Sequence, residues 1–116
     1  MSAFYRISFE LANSEDLRQS FAMTDASGAP LDLTGAALTM GLETAAGAGA
    51  LVASTANGRI ALVNAAAGQF ELRIPASVMR TLTPGSYQHD LLLTFPTGAV
   101  RRVWAGPLML VRGVAA

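Results

Sequence analysis

The chain has 116 residues, 52% of them hydrophobic and 14% charged, which excludes a disordered tail, since such a tail needs low hydrophobicity and high charge to stay solvated. Eight basic and eight acidic residues cancel, with no basic run beyond Arg101-Arg102, so the basic stripe that nucleic acid or an anionic membrane selects is missing. The lack of cysteine removes disulfides and thiolate metal sites.

The opening segment "MSAFYRISFELANSEDLRQ" carries no charged region leading into an apolar one, as a secretory signal does. No apolar run approaches the roughly 20 residues of a membrane-spanning helix. The expectation is a protein made inside the cell, with residues 1–116 forming one domain.

Along the chain, "YRISFEL" alternates Tyr5, Ile7, Phe9 and Leu11 with polar residues, the period of a half-buried strand. Residues 13–19, "NSEDLRQ", have the acidic start of a helical turn, but Leu17, Phe21 and Met23 keep period two, so a strand is preferred from Leu17. "DASGAP" then supplies turn residues. Asp25 and Asp32 lie on either side of it, and turn formation accounts for both without calcium.

Leu38, Met40 and Leu42 alternate with Thr39, Gly41 and Glu43, a third strand pattern. Residues 44–54, "TAAGAGALVAS", are small and glycine-containing, and are expected to form a flexible projecting loop. Asn57-Gly58 falls between "LVASTA" and "RIALV", where both residues of a tight hairpin turn need positive φ. Phe70, Leu72 and Ile74 give another alternation. "PASVMRTL" reads as a single helical turn opened by Pro75.

"GSYQHDLLLTF" holds the one histidine beside an aspartate. In a strand, neighbouring side chains point to opposite faces, so His89 and Asp90 diverge and are poorly placed to share a proton. Ser77 and Ser86 are the serines a triad could recruit, yet no G-x-S-x-G elbow is present. His89 is therefore expected at a covered strand position or against another subunit. Asp90 is expected to be a structural carboxylate paired with backbone amides or with Arg102 across the "FPTG" turn. Trp104, read as sharing a face with Arg102, serves either as core filler or as an interface anchor. One histidine and scattered carboxylates do not make a metal site, and no glycine motif cradles a phosphate, so no cofactor is expected. About eight short strands and turns at regular intervals predict a two-sheet antiparallel β-sandwich of the immunoglobulin-like kind.

The succession "DLTGA", "NG-x-I", "G-x-F-x-L-x-I-P", "L-x-P-G-x-Y-x-x-D-L-x-L" and "R-x-x-x-G" resembles small prophage-encoded structural proteins and the N-terminal domain of the phage baseplate upper protein family. The resemblance spans roughly residues 31–111. It implies a non-enzymatic β-sandwich working in tail or baseplate assembly, with no catalytic residue to carry over. Asp32, Gly35, Asn57, Gly58, Tyr87, Asp90 and Gly106 match as structural positions, while His89 departs from the aromatic or aliphatic residue expected there. The chain also stops at "GVAA" without a downstream domain, which fits a stand-alone accessory or connector subunit. The partners implied are other phage structural proteins and copies of the same chain, in a virion assembled in the host cytoplasm. His89 and Trp104 are the candidate interface residues. The alternative reading is a ligand-binding or carbohydrate-binding sandwich.

Overall fold

The computed structural model describes residues 5–114. Residues 1–4 and 115–116 fall outside it, and with them the first residues of the segment read for a signal sequence and the last two of the "GVAA" end. The alternating segments become strands. They are β1 (Tyr5–Arg6), β2 (Phe9–Ala12), β3 (Leu17–Ala22), β4 (Ala37–Thr44), β5 (Gly49–Ser54), β6 (Ile60–Asn64), β7 (Gln69–Ile74), β8 (Gly85–Thr94) and β9 (Val100–Val111). Since β1 and β2 both pair with β9 and are split only at Ile7-Ser8, they act as two halves of one edge strand.

Two sheets result. The larger runs β1/β2-β9-β8-β4-β5 and the smaller β3-β7-β6. Their inner faces close on one core, in which Leu33, Leu38, Phe70, Leu72, Met79, Leu91 and Leu93 are fully buried. This is the β-sandwich that the alternation predicts, each sheet burying one face against the other. One pairing departs from the antiparallel expectation: β1 and β2 run parallel to β9. The first strand enters along the same direction as the last, and so closes the sheet edge beside it.

Two local expectations are corrected. Only the first part of the Ala-Gly segment is a turn, tied by the Ala48 carbonyl accepting from the Thr44 amide at 2.8 Å. From Gly49 the chain is strand β5, held in register on β4 through Leu42–Leu51 and Met40–Ala53, with Ala53 buried. Ladder bonds and burial outweigh the weak strand propensity of small residues. Nor does Asn57-Gly58 make a hairpin, because β5 and β6 belong to different sheets. It turns the crossover between them. The Asn57 side chain accepts from the amides of Ser54 (2.9 Å) and Arg59 (3.0 Å), and Gly58 takes φ +78°.

Other turns form where the sequence places them. A short helix α1 (Ala76–Met79) follows Pro75 and buries Met79, and Asp16 reaches across to accept from the Ala76 amide at 2.6 Å. The "FPTG" turn joins β8 to β9 through the Gly98 amide and the Phe95 carbonyl. Asp25 accepts from the Ser27 amide (2.9 Å), the Ser27 hydroxyl (2.6 Å) and the Ala29 amide (3.1 Å), and Asp32 accepts from the Thr34 amide (2.9 Å). These bonds hold both carboxyls below the usual carboxylate range, the side-chain bonds to Ser27 and Thr34 contributing most. Gly35, at φ +75°, lets the turn after Asp32 pass against Pro96.

Candidate functional site

Strand β8 organises the centre of the larger sheet, between β9 and β4. Tyr87, His89, Leu91 and Leu93 face the core; Gln88, Asp90 and Leu92 face outward. His89 and Asp90 thus point to opposite sides, as period two requires. Leu92 is exposed, so the outer face of this sheet is uncovered even at the triple leucine. Tyr87 anchors the start of the strand by donating its hydroxyl to the Thr83 carbonyl at 2.5 Å. That bond gives the "L-x-P-G-x-Y" spacing a structural purpose, since it folds the tyrosine back over the Pro84-Gly85 turn while Leu82 plugs the core.

His89 is 4% exposed and is the one buried polar side chain among the described residues. Its Nε2 lies 2.8 Å from the carbonyl of Ile7, at the break between β1 and β2. A carbonyl can only accept, so Nε2 carries the proton and Nδ1 is left as an acceptor. Nδ1 has no hydrogen-bond partner. The ring packs against Phe9, with centroids 4.9 Å apart. Burial pushes the imidazole below its ordinary pKa, against the opposing pull of the Ile7 and Pro107 carbonyls and the Asp90 charge.

The residue that makes this contact geometrically available is Gly106, opposite His89 in the β8–β9 ladder. A Cβ there would sit 2.0 Å from the Ile7 carbonyl oxygen and 2.8 Å from its carbon. With no side chain at 106, the edge strand dips toward the sheet and its carbonyl meets the imidazole. His89 therefore ties the parallel closing strand to the sheet centre, a role that the "R-x-x-x-G" spacing hints at only as an unexplained glycine.

On the outer face, Asp90 Oδ2 lies 3.5 Å from Arg102 Nε, the cross-strand arginine expected for it. Trp104 does not share that face. Leu91 pairs with Trp104 but Leu92 pairs with Arg102, so Val103 is an extra residue in β9. This bulge shifts the alternation by one: Arg102 stays outside, and Val103 and Trp104 are both buried. Trp104 is 2% exposed and packs on Phe21 (4.6 Å) and Phe70 (5.9 Å). Both side chains nominated as contacts for another subunit, His89 and Trp104, are therefore turned into the sandwich, and neither presents surface. The indole Nε1–H has no acceptor, an arrangement that costs about 1–3 kcal/mol in a dry site.

Among the described residues, neither serine weighed for a triad is turned toward His89. Ser86 faces outward with its hydroxyl 3.9 Å from Met109 Sδ, on the side away from His89, and Ser77 sits exposed on α1. Among the described residues no three His, Cys, Asp or Glu side chains are grouped to hold a metal ion. The outer face of the larger sheet carries a shallow concavity of about 480 Å³ floored by Gly41 and bordered by Glu43, Val52, Asp90 and Arg102.

No family model matches the chain, and no curated protein matches it in sequence. Among solved structures it is similar to CopC from Methylosinus trichosporium OB3b, with a TM-score of 0.54 and 9% identity over 94% of this chain and 88% of that one. At that identity the likeness is one of fold. Together with the two packed sheets described above, it shows that this chain is a β-sandwich.

Proposed function

We propose that this protein is a non-enzymatic assembly subunit that works by protein–protein contact through the outer face of its larger sheet, with a second copy of the chain as first partner. One observation carries the reading. Of the eight large hydrophobic side chains exposed among the described residues, five lie on that face: Val52, Leu92, Val100, Met109 and Val111, each 37–61% exposed. The outer face of the smaller sheet is built differently. There Glu71 is bonded to Arg73 and lies 3.4 Å from Arg18, with Ser20 donating to it as well. Five exposed apolar side chains gathered on one sheet face, with the Asp90–Arg102 pair among them, support a contact surface there more than on the face built around Glu71.

A copy of the same chain fits because the face is self-complementary. It offers both Asp90 and Arg102 and a Gly41 hollow that can receive an apolar side chain, and the chain as a whole carries no net charge. The place of such a subunit in a phage or prophage tail, baseplate or connector, among other virion proteins, follows from the motif resemblance and is part of the same proposal.

Sedimentation velocity over a concentration series tests the contact. The wild-type chain is expected to self-associate, and Leu92→Glu with Met109→Glu is expected to give a monomer with an unchanged far-UV spectrum. A wild type that stays monomeric at millimolar concentration sinks the self-contact. Absence of the chain from purified particles of the phage that encodes it sinks the virion role.

A further inference from the structure

At one end of the sandwich the two sheets part and leave a cleft of about 380 Å³, within the size range of small-molecule sites, roughly 300–1,000 Å³. Half-buried Phe21, Met23, Leu31 and Ile7 line it, with exposed Tyr5 along the side, over a floor closed by the buried Leu93 and Trp104. This space is separate from the outer face discussed above, since its lining side chains point between the sheets.

Asp25 and Arg101 both stand at the mouth. Asp25 keeps its negative charge, with its Oδ1 turned to the cap of its own turn, where it accepts three hydrogen bonds from Ser27 and Ala29. Arg101 sits with its guanidinium 5.6 Å from the centre of the Phe95 ring, and no carboxylate among the described residues lies within ion-pair distance of it. The cleft therefore presents an apolar interior and, at an edge that carries both charges, Arg101 as the charged group with hydrogen-bond donors to offer an occupant.

We infer that this cleft binds a small amphipathic carboxylate, with the hydrocarbon part among Phe21, Met23, Leu31 and Ile7, over the Trp104 floor, and the carboxylate at Arg101. The hydrocarbon supplies the affinity through burial, and the arginine selects the anion over a neutral or cationic head of the same length.

Trp104 is the one tryptophan of the chain, so its emission reports the cleft directly. Octanoate, 1-octanol and octyltrimethylammonium are the probes, titrated into the full-length protein. Octanoate is expected to give a saturable emission change and to bind more tightly than the other two, with NMR shift changes at Phe21, Met23, Leu93 and the Trp104 indole. Arg101→Gln, at an exposed position, is expected to lower octanoate affinity about two- to fivefold, the worth of an exposed charge contact, and to erase its advantage over octanol. Three results would overturn the inference: no saturation with octanoate, shift changes confined to Leu92 and Met109 on the outer face, or an octanoate preference that survives Arg101→Gln.

Discussion

Replacing Gly106 with alanine is the sharpest test of how the sandwich closes. The added methyl would sit 2.0 Å from the Ile7 carbonyl oxygen, 2.8 Å from the carbonyl carbon and 3.2 Å from the Ile7 nitrogen. Contacts that short are impossible, so the segment joining β1 to β2 must lift by at least about 1 Å, the difference from an ordinary carbon–oxygen contact. Lifting it breaks the His89–Ile7 hydrogen bond and strains the Ile7 amide bond to the Ala105 carbonyl, now 3.1 Å. Overpacking costs about 1–3 kcal/mol, and a buried imidazole N–H stripped of its acceptor costs about as much again. Because the edge strand can yield, the sum is expected in the lower half of that range, about 2–4 kcal/mol. Against a total stability of about 5–15 kcal/mol, that is a large fraction. Urea unfolding followed by far-UV circular dichroism measures the loss, and amide exchange at Ile7 and Phe9 reports whether the edge strand has come away. A variant within about 0.5 kcal/mol of wild type, with Ile7 still protected, would refute the argument that the empty space at 106 is what seats the strand.

Four further outcomes follow from the same geometry. Burial lowers the folded pKa of His89 below its ordinary 6.5, so the unfolded state binds the extra proton first. Stability should therefore be full above about pH 6.5 and fall as the pH drops below it, with a slope of at most about 1.4 kcal/mol per unit. Melting curves from pH 7.5 to 5 should show this slope in the wild type and lose it in His89→Gln; equal slopes would show that the histidine is not the group responsible. Tyr87→Phe removes the bond to Thr83 and is expected to cost about 1 kcal/mol in chemical denaturation, with the fold intact. Arg102→Ala should change stability by less than about 1 kcal/mol, because both members of its pair with Asp90 are substantially exposed. Adding calcium should leave the melting temperature unchanged, since the Asp25 and Asp32 carboxylates already accept turn amides; a rise of several degrees would mean that these turns bind it.

Much of this protein could be read locally. Period two placed Phe9, Leu38, Met40, Phe70 and Leu72 inside, and put His89 and Asp90 on opposite faces, because strand geometry sends successive side chains to alternate sides whatever the surroundings. Turn residues such as Asp25 and Gly98 act within a few residues of themselves, and their positions were equally legible.

What the tertiary structure decided is whatever depends on strands far apart in sequence. The extra residue at Val103 appears only when β9 is laid against β8, and it alone turns Trp104 away from Arg102 and into the core. Whether Asn57-Gly58 makes a hairpin or a crossover depends on which sheet receives β5, and β5 is strand at all only because β4 offers it a ladder. The histidine is the clearest case. That it points away from Asp90 followed from alternation within a single strand, but that it faces the core did not, and its partner is a backbone carbonyl 82 residues away, admitted by the missing side chain of a glycine on the neighbouring strand. No pattern within one segment encodes that contact, because it exists only where three strands meet.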